Sequence, residues 1–408
     1  MTSIDLLPDP TAPHDPDAEH WYAVVQEAAT ALRADVVERD RANQDPTAEI
    51  ELLRAYGLLT LTLPQRHGGH GQPWRTGLNA ARLIARTDAS LAHILVYHYG
   101  WLRTIVSFGT EEADRHIAEA GAKALLWASP GTSREGLPAI APDGENYLVT
   151  GDSGFATGAP VADRLFTRAV RSDTNQLLIA VTRPDGPGVE LTGEWDTVGQ
   201  RLTASRSIHY DRAPVPALDL LAAFGPLDQP PAPIWSMAVL NFQLAFAALS
   251  LGIAEGALLE ARDYTRAHTR PWYHSLVDQG TQEPFILADY GTHVAELQAV
   301  SALVERAERA LAYLYARTAD GHDVTADERG QVAEIVAAAK VRAIHAGLAA
   351  TSGLFDLTGA RSTATAHGLD RFWRNLRTLS LHDPVAYKQH ELGQYFVNGQ
   401  LPTPSGYR

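Results

Sequence analysis

The chain has 408 residues and no cysteine, so disulfides, zinc–thiolate sites, iron–sulfur clusters and thiol nucleophiles are excluded together. A net charge of −14, with no Lys/Arg-rich run, argues against nucleic acid or an anionic membrane as partner, because both select a basic footprint. With 45% hydrophobic and 20% charged residues this is the composition of a globular protein, too long for one small domain, whose partner is a small molecule or another protein.

The opening MTSIDLLPDPTAPHDPDAEH is acidic and Pro-rich, with neither a basic nor an apolar signal region, so a loose tail over residues 1–17 and a cytoplasmic location are expected. Residues 18–122 read as a helical domain. Asp45-Pro46 is an N-cap followed by proline, Ile50, Leu52 and Leu53 supply an apolar face, and Gly57 a stop. HGGHGQPW (67–74) reads as a turn between helices and lacks the Gly-Lys-Ser/Thr ending of a phosphate loop. In SLAHILVYHYGW, capped by Asp88 or Ser90, His93 and Tyr97 stand four apart and so share one helix face. That pair either lines a ligand pocket or hydrogen-bonds at the edge of a core.

Residues 123–230 change to short β-rich runs split by Gly, Pro, Asp and Asn. Asp143-Gly144 is a hairpin signal before Tyr147–Thr150, and Leu177–Val181 and Ser207–Tyr210 read as further strands. No helices alternate with them, which favours an antiparallel barrel or sandwich over a doubly wound sheet. Within this unit WASPGTS (127–133) is a hydroxyl-rich loop, and GDSGFATGAP (151–160) puts Phe155 and Thr157 on one face of a strand; either segment is also ordinary turn chemistry. A Pro-rich linker over 225–233 ends the unit.

Residues 231–408 read as a helical bundle with helices over 234–268, 284–318, 326–352 and from Pro384. The apolar run 237–254 approaches the length of a membrane span, but Asn241 and Gln243 mark it as a buried bundle helix. In SLHDPVAYK (380–388), Asp383 reads as an N-cap and Pro384 as the first helical residue, which places His382 just outside a helix N-terminus, where a neutral imidazole can accept a proton. The histidines are scattered without a metal-ligand spacing, so no metal is expected. Neither G-x-G-x-x-G nor G-x-S-x-G occurs, so there is no nicotinamide fingerprint and no serine elbow.

The helix, β, helix order with GEWDTVGQRLTASRSIHYDRAPVPA (193–217) resembles the acyl-CoA dehydrogenase fold, which implies a multi-domain α+β chain: an N-terminal helical domain, a middle antiparallel β-barrel domain and a C-terminal four-helix bundle. The acidic base of acyl-CoA dehydrogenases is replaced by His382, and residues 233–254, where one branch keeps its base, contain no Asp or Glu. VERDRA (37–42), AHILVYH (92–98), ARDYTRAHTRPW (261–272) and DRFWRNLRTLSLHDPVAYK (370–388) resemble more closely the two-component flavin-dependent monooxygenases on this fold, of dibenzothiophene monooxygenase and indole hydroxylase type.

That resemblance implies reduced FAD or FMN supplied by a separate NAD(P)H:flavin reductase, O2 added at the flavin C4a position, an aromatic heterocycle as substrate, and a homotetramer or dimer. Tyr97, Trp127, Ser129, Thr132, Ser133, Phe155, Thr157, Trp195, Arg270, Arg361 and His382 would bind the flavin, with His382, His93, Tyr97 and Thr157 in the chemistry. Pro130-Gly131-Thr132-Ser133 stands where sulfur-oxidising members carry Asn-Ala-Ser-Ser, and Thr157 replaces a serine, so the oxidised atom does not carry over. The rival readings are an acyl-CoA dehydrogenase or oxidase and a non-catalytic helical binding protein.

Overall fold

The structure is a computed structural model that describes residues 5–7, 15–131, 136–227, 229, 231–319 and 321–405. Six helices open the chain: α1 (Pro16–Arg33), α2 (Val36–Ala42), α3 (Thr47–Ala55), α4 (Trp74–Ala85), α5 (Ala89–Phe108) and α6 (Glu111–Lys123). Asp88 caps α5 as expected, its carboxylate accepting from the backbone N–H of Ser90 and Leu91 at 3.1 Å each. Gly57 ends α3 in the left-handed conformation, φ +72°. Asp45 does not cap α3: that helix starts at Thr47, and the Asp45 carboxylate pairs instead with Arg206 at 2.8 Å.

Eight strands follow among the described residues: β1 (Trp127–Ala128), β2 (Ala139–Asp143), β3 (Asn146–Ala156), β4 (Arg164–Arg171), β5 (Gln176–Thr182), β6 (Val189–Thr192), β7 (Arg206–Val215) and β8 (Leu220–Pro226). They form one sheet in the order β6-β7-β3-β2-β4-β5-β8, with β1 beside β4. The β2–β3 hairpin turns where Asp143-Gly144 signals it. The pairing is antiparallel except where β1 and β2 lie parallel to β4. The sheet curls strongly enough for Tyr210 Oη on β7 to reach Thr167 Oγ1 on β4 at 3.2 Å, and Ile140, Val149, Leu165, Leu178 and Ile208 fill the interior.

The rest is helical: α7 (Pro233–His268), α8 (Pro284–Ala319), α9 (Ala326–Thr358), α10 (Asp370–Leu379) and α11 (Val385–Asn398). The structure corrects the expected bounds in three places. α9 runs past Ser352 to Thr358, since Gly353 is tolerated and Gly359 (φ +81°) makes the stop. α10 was not foreseen, although it buries Arg371, Phe372, Asn375, Leu376 and Leu379 along one face. α11 starts at Val385 with Pro384 at its cap, so Asp383 is no N-cap; its carboxylate faces the ammonium of Lys340.

α7 is the one described helix long and apolar enough to cross a membrane, and 83% of its apolar window is buried inside this molecule. Helices of both ends of the chain cover it, and Leu53, Leu95, Leu249, Leu311, Leu354 and Leu376 belong to one continuous core. A further cluster, including Leu102, Ile117, Trp127, Phe166 and Val181, joins α5 and α6 to the outer face of the sheet. α5 therefore touches both the bundle and the β unit.

α4 lies against α7 backbone to backbone. A Cβ on Gly252 would stand 2.3 Å from the Arg82 carbonyl oxygen, and one on Gly256 2.2 Å from that of Arg86. Between these glycines Glu255, fully buried, accepts from Arg82 Nε and Arg86 Nε at 3.0 Å each. Gly256→Ala must part the two helices, and a loss of about 1–3 kcal/mol of stability, read by denaturant unfolding, is the expected outcome.

Candidate active site

Tyr97 and His93 project from one face of α5, as their spacing requires, with ring centroids 4.5 Å apart and edge to face. Phe242 and Phe246 on α7, also four apart, face Tyr97 at 5.1 and 5.9 Å, and Trp101, one turn along α5, lies 4.4 Å from Phe242. His382, in the turn between α10 and α11, closes this aromatic group: its ring is 4.4 Å from Phe246, and Nε2 is 3.1 Å from Tyr97 Oη. Its Nδ1 lies 3.3 Å from Asp383 Oδ1, and Asp383 in turn accepts from Lys340 of α9. Burial opposes the charge of Asp383, but the bond from His382 and the ammonium of Lys340 outweigh it and hold the carboxyl below its usual range.

His93 is buried and its Nδ1 is 3.1 Å from Gln200 Oε1. Burial, with the neighbouring His382, pushes its pKa down to about 3, against which the bond to Gln200 is the smaller influence. Its Nε2 has no hydrogen-bond partner among the described residues, an orphaned polar atom at a site with aromatic walls.

Gln200 is a hub that sequence reasoning missed. It sits in the left-handed region (φ +56°), its N–H donates to Asn375 Oδ1 on α10 at 2.5 Å, and its carbonyl accepts from Trp195 Nε1 and Thr203 Oγ1 at 2.8 Å each. Thr203 continues to Ser205 at 2.9 Å, and Ser205 to Thr157 Oγ1 at 2.9 Å. A hydroxyl chain thus links Thr157 to the group that holds His93. Gln200 and Ala204 (φ +44°) at positive φ in a QRLTA stretch are an irregularity no hydrophobic pattern announces.

The remaining expected residues divide into three groups. Ser129 is buried and bridges to Thr157 along the backbone, its Oγ donating to the Phe166 carbonyl at 2.7 Å. Phe155, 68% exposed at φ +52°, stands edge-on to Trp195 with centroids 6.2 Å apart, so an aromatic pair faces outward beside Thr157. Trp127 turns its ring into the core against His116. Thr132 and Ser133 lie outside the described residues. Arg270 and Arg361 come together elsewhere, lining a cleft of about 490 Å³ with Tyr264, His268, Asp278 and His367 beyond the C-terminal end of α7. Twenty-two residues of helix separate Phe246 from His268, roughly 33 Å, so one chain cannot bring both groups to the same small molecule.

These groups fit a flavin. The outward rings of Phe155 and Trp195, the buried hydroxyl of Thr157 and the Ser153 Oγ, buried without a partner among the described residues, match a flat ring system with polar edges, and the arginine cleft matches a phosphate. No described group of His, Asp or Glu is placed to hold a metal ion.

Comparison with known proteins agrees. Residues 17–123 match the acyl-CoA dehydrogenase N-terminal domain family and residues 244–387 the acyl-CoA dehydrogenase C-terminal domain family. The chain is 36% identical to the protein of Pseudomonas putida named "Probable FMNH2-dependent monooxygenase SfnC", over 94% of this chain and 96% of the other. Methanesulfinate monooxygenase MsuC of Pseudomonas fluorescens superposes with a TM-score of 0.89 at 36% identity, covering 97% and 100% of the two chains. Dibenzothiophene monooxygenase TdsC of Paenibacillus sp. A11-2, in complex with FMN and indole, does so with 0.88 at 34% identity over 95% and 100%. The acyl-CoA dehydrogenase fold expected from sequence is thus shown. Within it, the chain belongs to the flavin-dependent monooxygenases and is an oxidoreductase that uses a flavin.

His98, buried between the Leu59 carbonyl and the Trp127 N–H, is like His93 depressed by burial, to about 4. Both are neutral in the fold and take up a proton in the unfolded chain from about pH 6.5 downward, so their stabilising contribution is full above pH 6.5 and lost as pH falls toward 4 and 3. Each unit of acidification in that window costs up to ~1.4 kcal/mol per histidine. Thermal melts should fall steadily from pH 6.5 to 4.5, and His93→Gln should flatten that slope.

Proposed function

We propose that this enzyme takes reduced FMN from a separate NAD(P)H:flavin reductase and uses O2 to oxygenate an aromatic heterocycle of the indole or thiophene class. Support comes from relatives that are FMNH2-dependent or hold FMN and indole. The observation that carries the reading is the pairing of His382 with Tyr97 against Phe246 and Phe242, with the adjacent carboxylate tied to Lys340. A methanesulfinate-like anion would ask for a cation in the walls, and Lys340 is already matched by Asp383. A dehydrogenase would need an available carboxylate, and Glu255, one residue beyond the stretch that lacks acids, is held by Arg82 and Arg86.

In this reading, reduced flavin supplies the electrons that activate O2. The chain's own residues do the rest. The Phe242, Phe246 and Trp101 rings take up an aromatic partner edge to face and exclude water. Thr157, oriented by Ser205, hydrogen-bonds the flavin's polar edge, while Phe155, Trp195 and Ser129 flank the ring. Tyr97 Oη and His382 Nε2 hold a proton at the point where substrate and flavin meet, and neutral His93 orients the substrate through Nε2.

Arg270 and Arg361 are assigned to the phosphate of a flavin bound mainly by a neighbouring subunit, which makes the working form an oligomer, a tetramer or a dimer. Arg270→Ala should then weaken flavin binding about 10- to 100-fold, the worth of a charged hydrogen bond, without changing the chain's own melting.

The test is an aerobic assay with a generic flavin reductase and a panel of indole, carbazole and thiophene compounds, read by mass spectrometry for a product heavier by one oxygen. His382→Ala should lower that turnover by ~10²–10⁴-fold. Full turnover in that variant removes the role of His382. Flavin bleaching by an acyl-CoA under anaerobic conditions overturns the oxygenase reading.

A further inference from the structure

Lys340 of α9 is 2% exposed and takes no direct part in the chemistry proposed above. Its ammonium donates to Gln243 Oε1 at 2.6 Å and to Asp383 Oδ1, and stands 4.9 Å from the centre of the Phe246 ring. A lone cation at that depth is strongly destabilising, and Asp383, itself 8% exposed, is its counter-charge. The same Asp383 oxygen meets His382 Nδ1. An ionised carboxylate only accepts, so Nδ1 carries the hydrogen; in the neutral ring Nε2 is then the acceptor, and Tyr97 Oη is the donor opposite it. The four groups form a chain whose donors converge on the carboxylate: Lys340 donates to Asp383 from one side, and from the other Tyr97 O–H donates to Nε2 and Nδ1–H to Asp383.

We propose that Lys340 and Asp383 are positioning residues that fix His382 in its Nδ1-protonated tautomer, with a bare Nε2 aimed at Tyr97 and the aromatic site. The surroundings agree. His93 and Tyr97 face His382 from α5 and Gln243 faces Lys340 from α7, while on α11 Lys388 and Glu391 neutralise each other at 2.9 Å and Glu334 of α9 lies beside them. The charged group that touches the imidazole is therefore the carboxylate of Asp383, and Lys340 keeps that carboxylate ionised and stationary, so that it orients the ring and does not take the proton itself. The use of the bare nitrogen as a proton acceptor rests on the oxygenase reading; the tautomer does not.

The test uses the full-length enzyme labelled with 15N-histidine, with the His382 ring signals assigned by their loss in His382→Ala. At pH 8 the wild type should show a protonated Nδ1 and an unprotonated Nε2. Asp383→Asn and Lys340→Met should each shift the ring toward the Nε2-protonated form. Should Lys340→Met fail to fold with Asp383 left unpaired, the paired replacement Lys340→Met with Asp383→Asn removes both charges and gives the same reading. In turnover, Asp383→Asn should lose about 10- to 100-fold in kcat with KM little changed, and adding it to His382→Ala should cost nothing more, as expected of a group that acts through the imidazole. An Nε2-protonated ring in the wild type, unaltered ring signals in the variants, or a full additional loss in the double variant overturns the proposal. Ring signals as expected without any oxygenated product leave the positioning assignment standing and remove the oxygenase reading instead.

Discussion

A helical stretch that is apolar on every side can exist in water only when other elements cover it, and residues 236–258 of α7 are such a stretch. That requirement organises the molecule. α4 meets it through glycines that let two backbones touch, α5 through Tyr97 and Leu95, and α8, α9 and α10 from the remaining directions. The ends of the chain are thereby folded onto one core although more than a hundred residues of β structure separate them. The buried Glu255, matched by Arg82 of α4 and by Arg86 at its C-terminal end, fixes the register of that contact, since an offset would leave its carboxylate buried without either guanidinium.

The site is a by-product of the same covering. α5 packs on α7 with one face and on the sheet with another, so side chains at the border of its two faces look into the seam between bundle and β unit. His93 and Tyr97 stand on that border, Phe242 and Phe246 answer them from α7, and the turn after α10 brings His382 over the top. The irregular Gln200 segment supplies the remaining wall and reaches α10 through Asn375, tying the β unit to α5 and α10 by hydrogen bonds. A seam closed by aromatic rings and the neutral imidazole of His93 has a low polarity, which lengthens the reach of each charge left inside it.

The helix and strand order and the spacing of His93 and Tyr97 were legible because both follow from periodicity: one apolar stripe, one i to i+4 pair, one Asp-Gly turn. What escaped is what periodicity does not encode. Lys340 in an alanine-rich helix reads as a solvated lysine until α7 and the Asp383 turn are placed around it. Gln200 carries no motif and matters because its backbone is left-handed. The two Asp-Pro pairs carried the right local signal for a helix start, and in both the carboxylate was taken by a distant cation, Arg206 for Asp45 and Lys340 for Asp383, so tertiary pairing overrode the cap and moved the helix start past the proline. α10 was missed because its run of arginines and asparagine hides a narrow apolar stripe that only a partner helix reveals.

The same displaced aspartate bears on why a fold shared with desaturating enzymes suits oxygen chemistry here. Removing a proton from carbon next to a thioester calls for a carboxylate with nothing better to bind. Asp383 is adjacent to the site but is saturated by a buried ammonium and an imidazole, and held ionised by them, so it is a weak base fixed in place. The group that instead faces the rings is an imidazole hydrogen-bonded to a phenol, a pair able to give or take a proton at the apolar seam. A thioester-activated carbon acid gains little from that pair. A reaction that passes oxygen to a neutral ring, and needs one proton moved at the end, gains from it.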